Sequence, residues 1–119
     1  MKRREILAAV PFVLTGFPVL AVTGTKPQLL EFWASWCPIC KGMEPTISAL
    51  KKQWVKQVDV RIVDVDDPKN AALLRKYKVF GTATFVLLDR TGKEVFRDSG
   101  QIPQAILEAE FKKVVQKSA

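Results

Sequence analysis

The stretch that most constrains this chain is Glu31-Phe-Trp-Ala-Ser-Trp-Cys-Pro-Ile-Cys40. It holds the only two cysteines among 119 residues, with two residues between them. The apolar run Leu29 to Ala34 leads into them and suits a central strand covered on both faces. A helical pattern, Lys41 to Val55, leads away. Met43, Ile47, Leu50 and Trp54 recur on one face of it, with Lys41, Lys52 and Lys56 opposite. The order is therefore strand, turn and helix, with both sulfurs at the turn. Pro38 fits the first helical turn, where its missing N–H is not needed. A helix N-terminus offers free N–H groups and the positive end of a dipole, and both favour an anion. A thiolate is such an anion, so Cys37 is expected to ionise easily and to be the attacking sulfur. Cys40, one turn further in, is expected to be less exposed and to act as the resolving thiol. The implied chemistry is thiol–disulfide exchange through a mixed disulfide on Cys37.

Two blander readings compete. Half of a zinc site is one, but zinc takes about four ligands, and the chain has no histidine and no third cysteine. A purely structural disulfide is the other, but a bridge across so short a loop constrains the unfolded chain little.

Phe32-Trp-Ala-Ser-Trp-Cys-Pro-Ile-Cys40 resembles the active-site segment of the thioredoxin superfamily, and the resemblance runs from about Lys26 to Val115. Pro45 matches that family's helix-kinking proline, and Tyr77-Lys-Val-Phe-Gly-Thr-Ala-Thr-Phe85 resembles its approach to the third strand. The resemblance implies an α/β thioredoxin fold, a central mixed sheet of four or five strands with helices on both faces. It also implies a thiol–disulfide oxidoreductase acting on protein disulfides, with no cofactor beyond the Cys37–Cys40 pair. Extracytoplasmic members of the family add a membrane thiol electron carrier and apo-cytochrome c as partners.

Site residues follow by position. Glu31 stands where the family has a buried acid, usually Asp, that moves protons to and from the resolving thiol. The functional reading is a proton shuttle with a raised pKa; the bland one is a strand-edge carboxylate facing water. Trp33, Trp36, Pro38, Ile39 and the loop Phe80, Gly81, Thr82, Ala83 and Thr84 are assigned to substrate binding. Trp33 as plain core and Trp36 as a plain cover are the alternatives. Two departures stand out. The family's second-strand lysine is replaced by Ile62, with Arg61 pointing the other way. Ala83 stands where the family has a cis-proline. A non-proline cis bond costs about 2.5–4 kcal/mol, so Thr82–Ala83 is expected to be trans. Pro38-Ile39 between the cysteines brings no charge to a thiolate and favours a reductase over an oxidase. A non-catalytic binding or assembly module, and metal or iron–sulfur binding by a dimer, are the competing functions.

The rest of the chain fills in the frame. Lys2-Arg3-Arg4 precedes an uncharged, mostly apolar run from Ile6 to Val22. That is the outline of an export signal or membrane anchor over residues 1–25, ahead of a domain over 26–119. The run is near the short end of the roughly 17–25 residues that span a bilayer, and Pro11, Gly16 and Pro18 weaken it as a helix. Alternatively it supplies an extra helix and strand of the fold. The expected location is extracytoplasmic, with cytoplasmic as the alternative. The net charge of +7 is spread along the chain with no basic run interleaved with aromatics, so it reads as solvated faces and not as a nucleic-acid surface. Val58 to Val65 is the second strand, and Asp66 or Asp67 caps a helix from Lys69 to Tyr77 with Ala72, Leu73 and Tyr77 inward. Thr84 to Asp89 and Lys93 to Arg97 form a hairpin around Gly92. Pro103 opens a last helix carrying Ile106 or Leu107, Phe111, Val114 and Val115 inward.

Overall fold

A computed structural model describes residues 26–118; the expected leader over residues 1–25 lies outside them. Strand β1 spans Gln28–Trp33 and is followed by helix α1, Pro38–Gln53. Strand β2 is Asp59–Asp64. A single 3-10 turn, Pro68–Asn70, runs into helix α2, Ala71–Lys76. Strands β3 (Thr84–Leu88) and β4 (Glu94–Ser99) precede helix α3, Gln104–Ser118.

The strands form one mixed sheet in the order β2-β1-β3-β4. β1 runs parallel to β2 and antiparallel to β3, and β3 pairs with β4 as a hairpin. Alternation along β1 sends its side chains to two separate cores. Leu29 joins Phe85 and Leu87 of β3, Met43, Ile47 and Leu50 of α1, and Leu107, Phe111 and Val114 of α3. Leu30 and Phe32 join Val63, Val86 and Leu88, packed against Leu73, Leu74 and Tyr77 from α2 and its end. Helices therefore cover both faces. Trp54 closes the first core with its ring edge-on to Phe111, 5.5 Å between centroids.

Some boundaries and facings differ from the sequence expectation. α1 starts at Pro38, ahead of Lys41, because Cys37 takes extended backbone and serves as the N-cap. The 3-10 turn shifts the phase of the next helix, so Leu74 packs inward and Ala72 is exposed. Asp67, not Asp66, caps that turn, accepting from the Lys69 N–H at 3.0 Å. In α3 it is Leu107 that is buried, while Ile106 faces solvent. Arg97 of β4 crosses to the end of α2. Its guanidinium donates to the carbonyls of Tyr77 and Lys78 while pairing with Glu94 at 3.0 Å. It thus fixes the start of the loop that leads back to the cysteines.

Candidate active site

Cys37 and Cys40 are joined by a disulfide, with their Cα atoms 5.3 Å apart. Cys37 caps α1, and its Sγ accepts the Cys40 N–H at 3.1 Å. No acidic residue lies in the first turn of the helix to oppose a negative sulfur. Both sulfur-bearing residues sit at the edge of the α1–α3 core: Cys40 is fully buried and Cys37 is 2% exposed. The sequence placed Cys37 as the more exposed of the two; the order holds, but by a narrow margin.

The surface around this bond is built from two segments. Trp36 is 64% exposed and Phe80 95% exposed, with Ile39 beside them on the active-site turn. Trp36 Nε1 donates to Asp66 Oδ2 at 2.8 Å, tying the turn to the end of β2. A groove of about 200 Å³ runs between Trp36, Val65, Leu74 and the Val79–Thr82 segment. Ala83 and Thr84 lie beneath this surface, not on it. Ala83 is part of the same core as the two cysteines. Its carbonyl accepts the Gly100 N–H at 2.9 Å. Thr84 Oγ1 donates to the Gly81 carbonyl at 2.6 Å. The Thr82–Ala83 peptide bond is cis, contrary to the trans bond expected on cost alone. Hydrogen bonds to the Gly81 carbonyl and from the Gly100 N–H flank it. Gly100, which reaches back to it, has φ +90°, a value L side chains rarely adopt.

Glu31 occupies the same face of β1 as Leu29 and Trp33. It is 2% exposed, so the reading as a carboxylate facing water does not hold. Ile62 of β2 and Phe85 of β3 are its register partners, and neither carries charge. Its Oε2 makes no hydrogen bond among the described residues. Loss of hydration, with the negative charge of Glu44 added, pushes its pKa up to about 7. Glu31 opens on a groove of about 330 Å³ whose walls include Trp33, Glu44, Ser48, Lys51 and Ile62. Trp33 therefore belongs to the acid's surroundings, while Trp36, Ile39, Phe80, Gly81 and Thr82 lie on the surface beside the disulfide.

Sequence reasoning assigned no role at the site to Glu44, Asp66 or Arg97. Asp66 and Arg97 act through contacts 30 and about 20 residues away, which no local spacing signals. Glu44 could have been found, because it falls one turn from Ser48 and two from Lys51, on the flank of the α1 stripe that covers β1.

Residues 15–116 match the thioredoxin family. A thiol:disulfide interchange protein TxlA homologue from Synechocystis is 35% identical over 74% of this chain and 49% of its own length. Thioredoxin from Mycolicibacterium smegmatis is 31% identical over 87% of the chain and 91% of its own length. The chain thus spans about half the length of the TxlA relatives and nearly all of that thioredoxin. Among solved structures, the germline-specific thioredoxin Deadhead from Drosophila melanogaster superposes with a TM-score of 0.67 at 30% identity. That match covers 79% of this chain and 86% of the other.

Proposed function

The chain belongs to the thioredoxin family, and on that premise we propose that it is a thiol–disulfide oxidoreductase of protein substrates. The observation that carries the reading is the Cys37–Cys40 bond at the start of α1, with the Cys40 N–H aimed at Cys37 Sγ. That donor and the helix dipole stabilise a Cys37 thiolate once the bond is reduced.

The cycle then runs as follows. The Cys37 thiolate attacks one sulfur of a substrate disulfide. The substrate S–S bond breaks, and the departing thiolate takes a proton from water. Cys40 gives its proton to Glu31 and attacks Cys37 Sγ. The mixed disulfide breaks, and the second substrate thiolate takes up the proton that Glu31 releases. The substrate gains two electrons and two protons, and the pair is left oxidised, to be reduced again by an outside dithiol. The redox group is the cysteine pair itself, so no separate cofactor takes part. Trp36, Pro38, Ile39, Phe80, Gly81 and Thr82 receive the substrate, with Ala83 and Thr84 shaping the loop from below and Trp33 walling the acid.

The basic start and uncharged run of residues 2–22 support export or membrane tethering of the domain. Among residues 26–118 no helix is long and apolar enough to cross a membrane. An extracytoplasmic domain of this kind draws electrons from a membrane thiol carrier, and apo-cytochrome c is a fitting substrate. Cell fractionation of the full chain against one lacking residues 1–25 checks the location.

The test of the activity is the equilibrium of the pair against a dithiothreitol series, followed by transfer from the reduced protein to insulin. A potential near roughly −270 mV with rapid insulin reduction supports a reductase. A value nearer −120 mV makes the protein an oxidant of thiols. If the reduced pair passes no electrons to a protein disulfide, the chain is a binding module.

A further inference from the structure

The proton that Glu31 takes from Cys40 needs a way out, and the groove beside it supplies one. Glu31 is buried, and its Oε2 has no hydrogen-bond partner among the described residues. The groove it opens on leads past Glu44, Ser48 and Lys51 of α1 to solvent. Among the described residues, the charged groups that line this groove with Glu31, Glu44 and Lys51, come from that helix. β2 offers Ile62 in register, and Asp64 two residues on turns its carboxylate to the Asp66 N–H at 2.9 Å. β3 offers Phe85. α3 brings Leu107 and Phe111 to the same core, and neither titrates. Between the two groups that remain, the charge felt at Glu31 is that of Glu44.

We propose that Glu44 is a positioning residue for the exchange reaction, its carboxylate sharing the groove with Glu31 and governing when Glu31 gives up its proton. Glu44 exchanges no electrons and forms no bond to sulfur. The proton moves from Cys40 Sγ to Glu31, and from Glu31 to the departing thiolate or through the groove to water. A negative neighbour disfavours a second negative charge, so Glu31 stays protonated to higher pH than burial alone would keep it. Ser48 is a neutral part of the same wall, and β2 places the apolar Ile62 in register with Glu31. Glu44 is itself exposed, so its exchange for Gln disturbs no packing.

The inference rests on the reading of Glu31 as the proton carrier, and the two can be separated. The Glu31 carboxyl is titrated by carbon-13 NMR in wild type, Glu44→Gln and Ser48→Ala. Alongside, the rate at which Cys40 resolves a preformed mixed disulfide on Cys37 is followed against pH. Glu44→Gln should move both midpoints towards acid, together, by on the order of half a pH unit, as expected for one charge across a wet groove. Added salt should do the same to wild type and little more to the variant. Ser48→Ala should leave both midpoints in place, and Glu44→Asp should recover part of the shift. Unmoved midpoints in Glu44→Gln overturn the role of Glu44, as does an NMR shift with no change in the rate profile. Glu31→Gln tests the underlying reading by itself. If the rate profile loses its transition there, Glu31 carries the proton whatever Glu44 does; if the transition survives, Glu31 does not.

Discussion

Glu31 is an acid stored in the core, and the cost of storing it depends on pH. Its pKa is 4.5 in an unfolded chain and about 7 in the fold. Between those values the folded chain holds a proton that the unfolded chain has released, so stability falls as pH rises through that window. It is greatest below about pH 4.5, and the loss is complete above about pH 7. At about 1.4 kcal/mol per unit, the whole effect is at most on the order of 3 kcal/mol, reduced to the extent that groove water screens the carboxylate. Glu31→Gln keeps the shape and removes the charge. It should therefore raise the urea midpoint at pH 8, leave it nearly unchanged at pH 4, and slow disulfide exchange. A variant no more stable than wild type at pH 8 would show that water reaches the carboxylate. The cysteines separate by role in the same way. Cys40→Ser should accumulate a mixed disulfide with a protein substrate on non-reducing gels, and Cys37→Ser should accumulate none.

At the scale of elements, the active-site turn and the Val79–Ala83 loop are held from outside by single side chains. Arg97 of β4 bonds two carbonyls at the end of α2. Arg97→Met should cost about 1 kcal/mol and speed hydrogen exchange at the Val79 and Gly100 amides, with β1 protected as before. Phe80 carries the opposite signature. It is 95% exposed, so Phe80→Ala should change stability by less than about 0.5 kcal/mol. Insulin reduction should nonetheless slow, because the substrate loses an apolar contact. Equal rates for variant and wild type would remove Phe80 from the substrate surface. Spacing revealed the elements these side chains act on. The stripe Met43, Ile47, Leu50 and the apolar run of β1 announce burial directly, since burial on a helix or strand is periodic. The facing of α2 was legible in part, with Leu73 and Tyr77 inward as expected, but a 3-10 turn ahead of it brings in Leu74 in place of Ala72. The Trp36–Asp66 bond was hidden because it joins residues that only the parallel pairing of β1 and β2 brings together.

Over the whole molecule, the two cores divide the labour. One face of the sheet carries the disulfide, Glu31 and the helices α1 and α3. The other carries α2 and the apolar side chains that back the sheet. The order of elements could be read because each strand and helix carries its own local apolar period, and Glu31 as a buried acid followed from its place inside the apolar run of residues 29–34 and from the family resemblance. The cis Thr82–Ala83 bond could not, because no local pattern around it signals the isomer.

Only 2% of Cys37 meets solvent. A sulfur so enclosed is kinetically insulated. Small thiols and disulfides that merely collide with the oxidised protein find almost none of this sulfur to strike. A protein partner seated as proposed, against Trp36 and Phe80, would be held beside the sulfur. On that reading, selectivity would reside in docking more than in the intrinsic reactivity of the thiolate.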